Sequence, residues 1–164
     1  MTSRMNRRDF LRAATYAGTS LLVLGDSRSA SSYQANEKLN IAIVGVGKRG
    51  TYHARTILSG SHNLVAVCDA NRNRPTFRVP SEVSRYQDFR KMLDEMHRRI
   101  DAVLVATTDH NHAVVSAAAM KRGKHVFCEK PAAHDVAEAR ALRHIARQKK
   151  VATQMGNQGM ASDS

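Results

Sequence analysis

The sequence predicts an α/β fold: a doubly wound parallel sheet of about six strands, flanked by helices. Three observations carry this. A short apolar run, Ile41-Ala42-Ile43-Val44, is followed by glycines at 45, 47 and 50 and then by a helix-compatible segment. Further apolar runs alternate with helix-compatible stretches along the rest of the chain. These runs are continuous rather than alternating polar and apolar, which is the mark of strands covered on both faces.

The first unit spans Leu39 to Asp69. Gly45 permits a tight turn after the strand, Gly47 lets backbone approach a bound group, and Gly50 lets the helix pack close to the strand. The helix over Arg49–Ser59 is expected to face the sheet with Ile57 and Leu58. Leu64 to Val67 is the second strand, delivering Cys68 and Asp69. Asp69 stands 19 residues after Gly50. A bare GxGxxG is weak, but after a strand, opening a helix and followed by an acid it is a dinucleotide fingerprint. The helix start would favour phosphates through its free N–H groups and its dipole. Asp69 would accept hydrogen bonds from a ribose diol. Its charge repels a 2′-phosphate, which favours NAD over NADP, although Arg72 and Arg74 follow closely.

Pro75 and Pro80 exclude a long crossover helix from residues 70–83. A short strand is expected near Ser84 to Tyr86. A helix over Asp88–Arg98 follows, with Phe89, Met92, Leu93 and Met96 at helical spacing. Asp101 to Ala106 is a buried strand ending in Thr107-Thr108-Asp109-His110-Asn111-His112. The spacing predicts a helix from His112 to Arg122, stopped by Gly123. His125 to Cys128 is the next strand, delivering Glu129-Lys130-Pro131. Asp135 with Glu138 caps a helix running to Lys149, whose basic end suits the dipole. Val151 to Met155 is the last strand, leading to Gly156-Asn157-Gln158-Gly159.

Residues 1–35 read as a targeting segment, and residues 38–159 as the globular domain. Asn6-Arg7-Arg8-Asp9-Phe10-Leu11-Arg12 is similar to a twin-arginine export signal. Ala13 to Gly25 after it is weakly apolar and short for a bilayer span. The expectation is an exported, periplasmic protein handled by the twin-arginine machinery, membrane-tethered if the signal is kept. That pathway carries folded proteins, so a cofactor can be loaded before export.

The 164 residues suffice for one ordinary domain with a core. The formal charge is +12; residues 1–38 hold six Lys/Arg against three Asp/Glu. The excess basic residues of the globular part are scattered and lack interleaved aromatics, so nucleic acid is not the expected partner. Cys68 and Cys128 fall near the ends of strands that are three places apart if the sheet has the usual order 3-2-1-4-5-6. That is ~14 Å, beyond disulfide reach, so two free and buried thiols are expected. His110, His112, His125 and His134 lack an acid or Cys at a metal-ligand spacing, so no metal is expected.

With the glycines, the Thr107–His112 turn and Glu129-Lys130-Pro131 in place, residues 38–159 resemble the nucleotide-binding half of the Gfo/Idh/MocA oxidoreductases. These are the glucose–fructose oxidoreductase and inositol dehydrogenase type. Glu-Lys-Pro at the end of the fifth strand is the most specific part of the likeness. The export signal and the Met155–Gly159 stretch are similar to a secreted bacterial branch. The resemblance implies an NAD(P) cofactor and hydride transfer to or from a sugar, cyclitol or related polyol. It implies that Gly45, Gly47 and Gly50 line the pyrophosphate, with Lys48 and Arg49 giving backbone N–H groups, and that Asp69 holds the adenosine ribose. Thr107, Thr108 and His112 match the turn passing the cofactor, where the family usually has Pro at position 108. Glu129 and Lys130 match the motif beside the nicotinamide, with Lys130 as the catalytic lysine and Asn157 near the nicotinamide edge.

The family's second domain carries most of the substrate site and the sheet that forms oligomers. The expectation is therefore a chain truncated before that domain, with residues 160–164 as its start or a short tail, and a homo-oligomer for the full-length protein. The alternative is a non-catalytic nucleotide-binding or interaction module. The short segment after Asp69 supports that alternative.

Overall fold

The computed structural model describes residues 38–71, 73, 74 and 77–157. The expected export segment, Arg72, Pro75 and the end of the chain from Gln158 lie outside the described residues.

Six strands form one parallel sheet: β1 (Asn40–Val44), β2 (Asn63–Cys68), β3 (Ser84–Tyr86), β4 (Ala102–Val105), β5 (His125–Cys128) and β6 (Thr153–Met155). Their order is β3-β2-β1-β4-β5-β6. Every pairing is parallel. Four helices connect them: α1 (Lys48–Ser59), α2 (Phe89–Glu95), α3 (Asp109–Lys121) and α4 (Val136–Lys149). This is the doubly wound architecture expected, with the expected strand order.

Side chains of a strand point alternately to the two faces, so β1 feeds both cores. Ala42 and Val44 join one cluster with Met92, Leu93, Val115 and Met120, beneath α2 and α3. Ile43 joins the other with Ala54, Ile57, Val67 and Leu104, beneath α1. Ile43, Met92 and Leu93 are 0% exposed. Each such side chain contributes about 1.5–3 kcal/mol of transfer free energy. This double burial is why the strands read as continuous apolar runs.

Several boundaries differ from the sequence expectation. In α1, Ile57 is buried but Leu58 is 41% exposed, because adjacent helical positions diverge by about 100° and one side chain of the pair faces the sheet. α2 spans seven residues and ends at Glu95, with Asp88 as its N-cap accepting from Arg90 N. Met96 is still buried beyond the helix end. α3 starts at Asp109, three residues before His112. The polar start carries an acid where the helix dipole favours one. Among the described residues between Ala70 and Val83 there is no helix.

α4 begins as expected. Asp135 accepts from Glu138 N, and Glu138 Oε2 accepts from His134 N. No α4 residue is fully buried. The thiols of Cys68 and Cys128 are free and buried. Among the described residues, no helix is long and apolar enough to cross a membrane.

Candidate functional site

The chain turns in opposite directions out of β1 and β4, and neighbouring strands that do so open a crevice at their C-terminal ends. A cavity of about 650 Å³ lies there. Gly45, Gly47, Lys48, Arg49, Asp69, Thr107 and Thr108 line it, together with Arg74 and Asn111. That size suits a small-molecule or cofactor site.

The glycines act as their positions require. Gly45 has φ +88, and a Cβ there would stand 2.5 Å from the Ala106 carbonyl oxygen. A side chain at Gly50 would overlap the Gly45 carbonyl oxygen, so the first turn of α1 lies directly on the strand end. Gly47 is the N-cap of α1 and has no side chain to close it. The first N–H groups of a helix have no intrahelical acceptor, so those of Lys48 and Arg49 remain for a ligand. Neither residue is acidic, and the helix start is electropositive. The Arg74 guanidinium lies over Gly47, in the space a Cβ would take.

Asp69 holds this loop in place. Its Oδ2 accepts from Val46 N at 2.9 Å, and its Oδ1 accepts from Asn71 N at 2.9 Å. A carboxylate has about four lone-pair positions, so capacity for a diol remains. At the entrance, Arg90 forks onto Asp88 with Nε–Oδ1 2.9 Å and Nη2–Oδ2 3.0 Å. The Arg90 hydrogen bond holds the Asp88 carboxyl below its ordinary range. Burial pushes the Cys68 thiol on the cavity wall up to about 12, so it is a neutral wall group rather than a nucleophile.

Glu129, Lys130, His112 and Asn157 do not line the cavity but form a second group beside it. Glu129 is 6% exposed. Its Oε1 is 2.5 Å from His53 Nε2 and 3.9 Å from Arg49 Nε. His53 also meets the Phe127 ring edge-on. Gly156 packs on Phe127 and Glu129, and a Cβ there would be 3.3 Å from Glu129 Cδ. Asn157, just beyond, is exposed. His112 is buried; its Nδ1 faces the Pro131 carbonyl oxygen at 2.6 Å and its Nε2 faces the Thr107 carbonyl oxygen at 3.2 Å. Lys130 is exposed. Arg49 joins the two groups, since it lines the cavity and pairs with Glu129.

His53 was not legible as a site residue. Its partner is 76 residues away. The available sign was its place four residues after Arg49, on the same helix face.

The family description "Oxidoreductase family, NAD-binding Rossmann fold" matches residues 39–157. The chain belongs to the Gfo/Idh/MocA family. It is 32% identical over 120 residues to inositol 2-dehydrogenase 1 of Saccharopolyspora erythraea, covering 63% of this chain and 35% of that protein. It is 31% identical over 119 residues to UDP-N-acetylglucosamine 3-dehydrogenase of Acidithiobacillus ferrooxidans, covering 73% and 37%. Among solved structures, myo-inositol 2-dehydrogenase from Lactobacillus plantarum matches with a TM-score of 0.70 and 27% identity, over 78% of this chain and 39% of that one. The chain spans about a third of the length of the curated relatives it matches. As a member of this family the chain carries an NAD(P)-binding domain of an oxidoreductase. The open α1 start and the glycine cradle fit the pyrophosphate of such a cofactor.

Proposed function

We propose that this chain supplies the cofactor side of an exported NAD-dependent oxidoreductase acting on a cyclitol or related polyol. The observation that carries this is the Glu129-Lys130-Pro131 turn at the C-terminal end of β5, tied through Arg49 to the glycine-loop cavity. Several relatives are named inositol 2-dehydrogenases, which supports a cyclitol.

Bound NAD would supply the hydride-accepting ring. This chain's residues would do the rest. The loop N–H groups of Lys48 and Arg49 would hold the pyrophosphate, and Asp69 would take the adenosine ribose diol and disfavour a 2′-phosphate. Thr107, Thr108 and Asn157 would bound the path of the cofactor. The Lys130 ammonium would hydrogen-bond the reacting hydroxyl and stabilise charge developing on its oxygen. Residues 1–35 act, in this reading, as the twin-arginine segment, and the protein works in the periplasm after folding with cofactor. The reading divides the chain into that segment and the domain of residues 38–159.

The test is titration of the 164-residue chain with NADH and NADPH, followed by nicotinamide fluorescence. Saturable binding that prefers NADH, and that survives Lys130→Ala, supports the reading. Absence of binding at millimolar NADH, or preference for NADPH, overturns the corresponding part.

A further inference from the structure

Lys130 is the proposed catalytic group, and it stands exposed on the turn between Glu129 and Pro131. Both of its neighbours in the chain are held by histidines. The Glu129 carboxylate is met at 2.5 Å by His53 Nε2. On the other side, the Pro131 carbonyl oxygen is met at 2.6 Å by His112 Nδ1. His53 is carried by α1 and His112 by α3. Both helices start at the cavity: Lys48 and Arg49 open α1, and Thr108 caps α3.

We infer that His53 and His112 are positioning residues that clamp the Lys130 turn from both sides and fix it to the two helices whose first turns face the cofactor. The inference rests on the proposed role of Lys130 and adds residues to it. Phe127 closes against the His53 ring edge-on at 5.5 Å, and Gly156 packs on Glu129, so the His53–Glu129 contact is partly buried. A hydrogen bond in such partly desolvated surroundings is stronger than one in water. His112 is fully buried, and its second ring nitrogen faces the Thr107 carbonyl oxygen at 3.2 Å. A neutral imidazole donates from one ring nitrogen only, and the shorter contact, Nδ1 to the Pro131 carbonyl oxygen, is the one that ties His112 to the Lys130 turn. Residues that orient a reacting group in this way carry its precision, and small misplacements of a reacting group are costly.

The experiment measures amine modification of each lysine by trinitrobenzenesulfonate, with and without NADH, resolved by peptide mass. Lys48 lines the cavity and reports cofactor binding; Lys130 reports the turn. At NADH of ten times Kd, mass action gives about tenfold protection of a lysine fully covered in the complex. Both lysines should show it in the wild-type chain. In His53→Ala, Lys48 protection should persist while Lys130 protection falls well below the wild-type level, because a turn that has lost its support no longer holds Lys130 against the cofactor. His53→Gln, whose amide can donate to Glu129, should restore it. His53 is only partly buried, so this variant is expected to fold, and circular dichroism checks that.

Lys130 protection that survives His53→Ala beside protected Lys48 overturns the clamp. So does a wild-type chain with Lys48 protected and Lys130 not. Protection of neither lysine in the wild type overturns the cofactor reading itself, and the clamp's function with it.

Discussion

Replacing Gly50 by alanine tests whether the helix start is set by contact with the strand. In an ordinary helix interior this change stabilises by about 1 kcal/mol, because glycine is the poorer helix former. Here the added Cβ would overlap the Gly45 carbonyl oxygen, which is backbone and cannot rotate away. Ile43 Cγ2 lies 3.6 Å from the same point, an ordinary contact, so the obstacle is the Gly45 backbone alone. The first turn of α1 must retreat from the strand. Overpacking of this kind costs about 1–3 kcal/mol, and a rigid obstacle belongs at the upper end. Subtracting the helix gain leaves a net loss of about 2 kcal/mol. The retreat also moves the Lys48 and Arg49 N–H groups away from the pyrophosphate position. Losing one charge-assisted hydrogen bond there weakens NADH binding by about tenfold or more. Urea unfolding at constant m and NADH titration measure the two effects. A Gly50→Ala chain that is more stable than wild type, with unchanged NADH affinity, would refute the reasoning.

Burial raises Cys68 from 9.0 to about 12 and Cys128 from 9.0 to about 11. Raised values mean that the folded state favours the protonated thiols. Their contribution to stability is complete below pH 9 and is lost as pH rises through about 11 and 12. Urea unfolding across pH 8 to 12 should show that decline, and Cys68→Ser, whose hydroxyl does not titrate there, should remove the Cys68 share of it and leave that of Cys128. Asp69→Asn should weaken NADH by about tenfold while narrowing the gap to NADPH, because the repelling charge is gone; parallel titrations check it, and an unchanged ratio sinks the ribose assignment. Asp135→Ala removes the acceptor that Glu138 N finds at 2.8 Å. A loss of about 1 kcal/mol is expected. Since α4 buries no residue fully, faster amide exchange should be confined largely to Val136–Lys149.

The strands were legible because double burial writes itself into composition, and their order was that usual for a doubly wound sheet. Ile41 to Val44 and Ala102 to Val105 are apolar throughout, as strands covered on both faces are. The glycine loop and Asp69 were legible because their geometry is local. Helix limits were harder. The spacing of apolar residues located the body of α3, but its polar first turn, Asp109 to Asn111, carries no apolar mark. The short α2 ended early because Met96 is buried from a turn, and burial alone does not distinguish a turn from a helix. Leu58 looked like Ile57 until the helix rotation was known. The His53–Glu129 contact and the Arg74 guanidinium over Gly47 depend on how distant segments meet. Neither Glu129 nor Gly47 announces its partner, since each contact joins segments with no local pattern between them.

The central place of β1 has a consequence for how the protein is made. One edge of β1 pairs with β2, which follows at once, but the other pairs with β4. The Asn40 amide donates to Asp101 Oδ2, 61 residues further along. On a ribosome adding about 5–20 residues per second, that interval lasts roughly 3–12 s. Throughout it a largely apolar strand stands half-paired, with Ala42 and Ile43 next to an open row of backbone donors and acceptors. A nascent chain halted before Ala102 therefore carries a sticky edge. Steady synthesis through β4, or a chaperone holding the half-sheet, protects the protein at its most vulnerable moment.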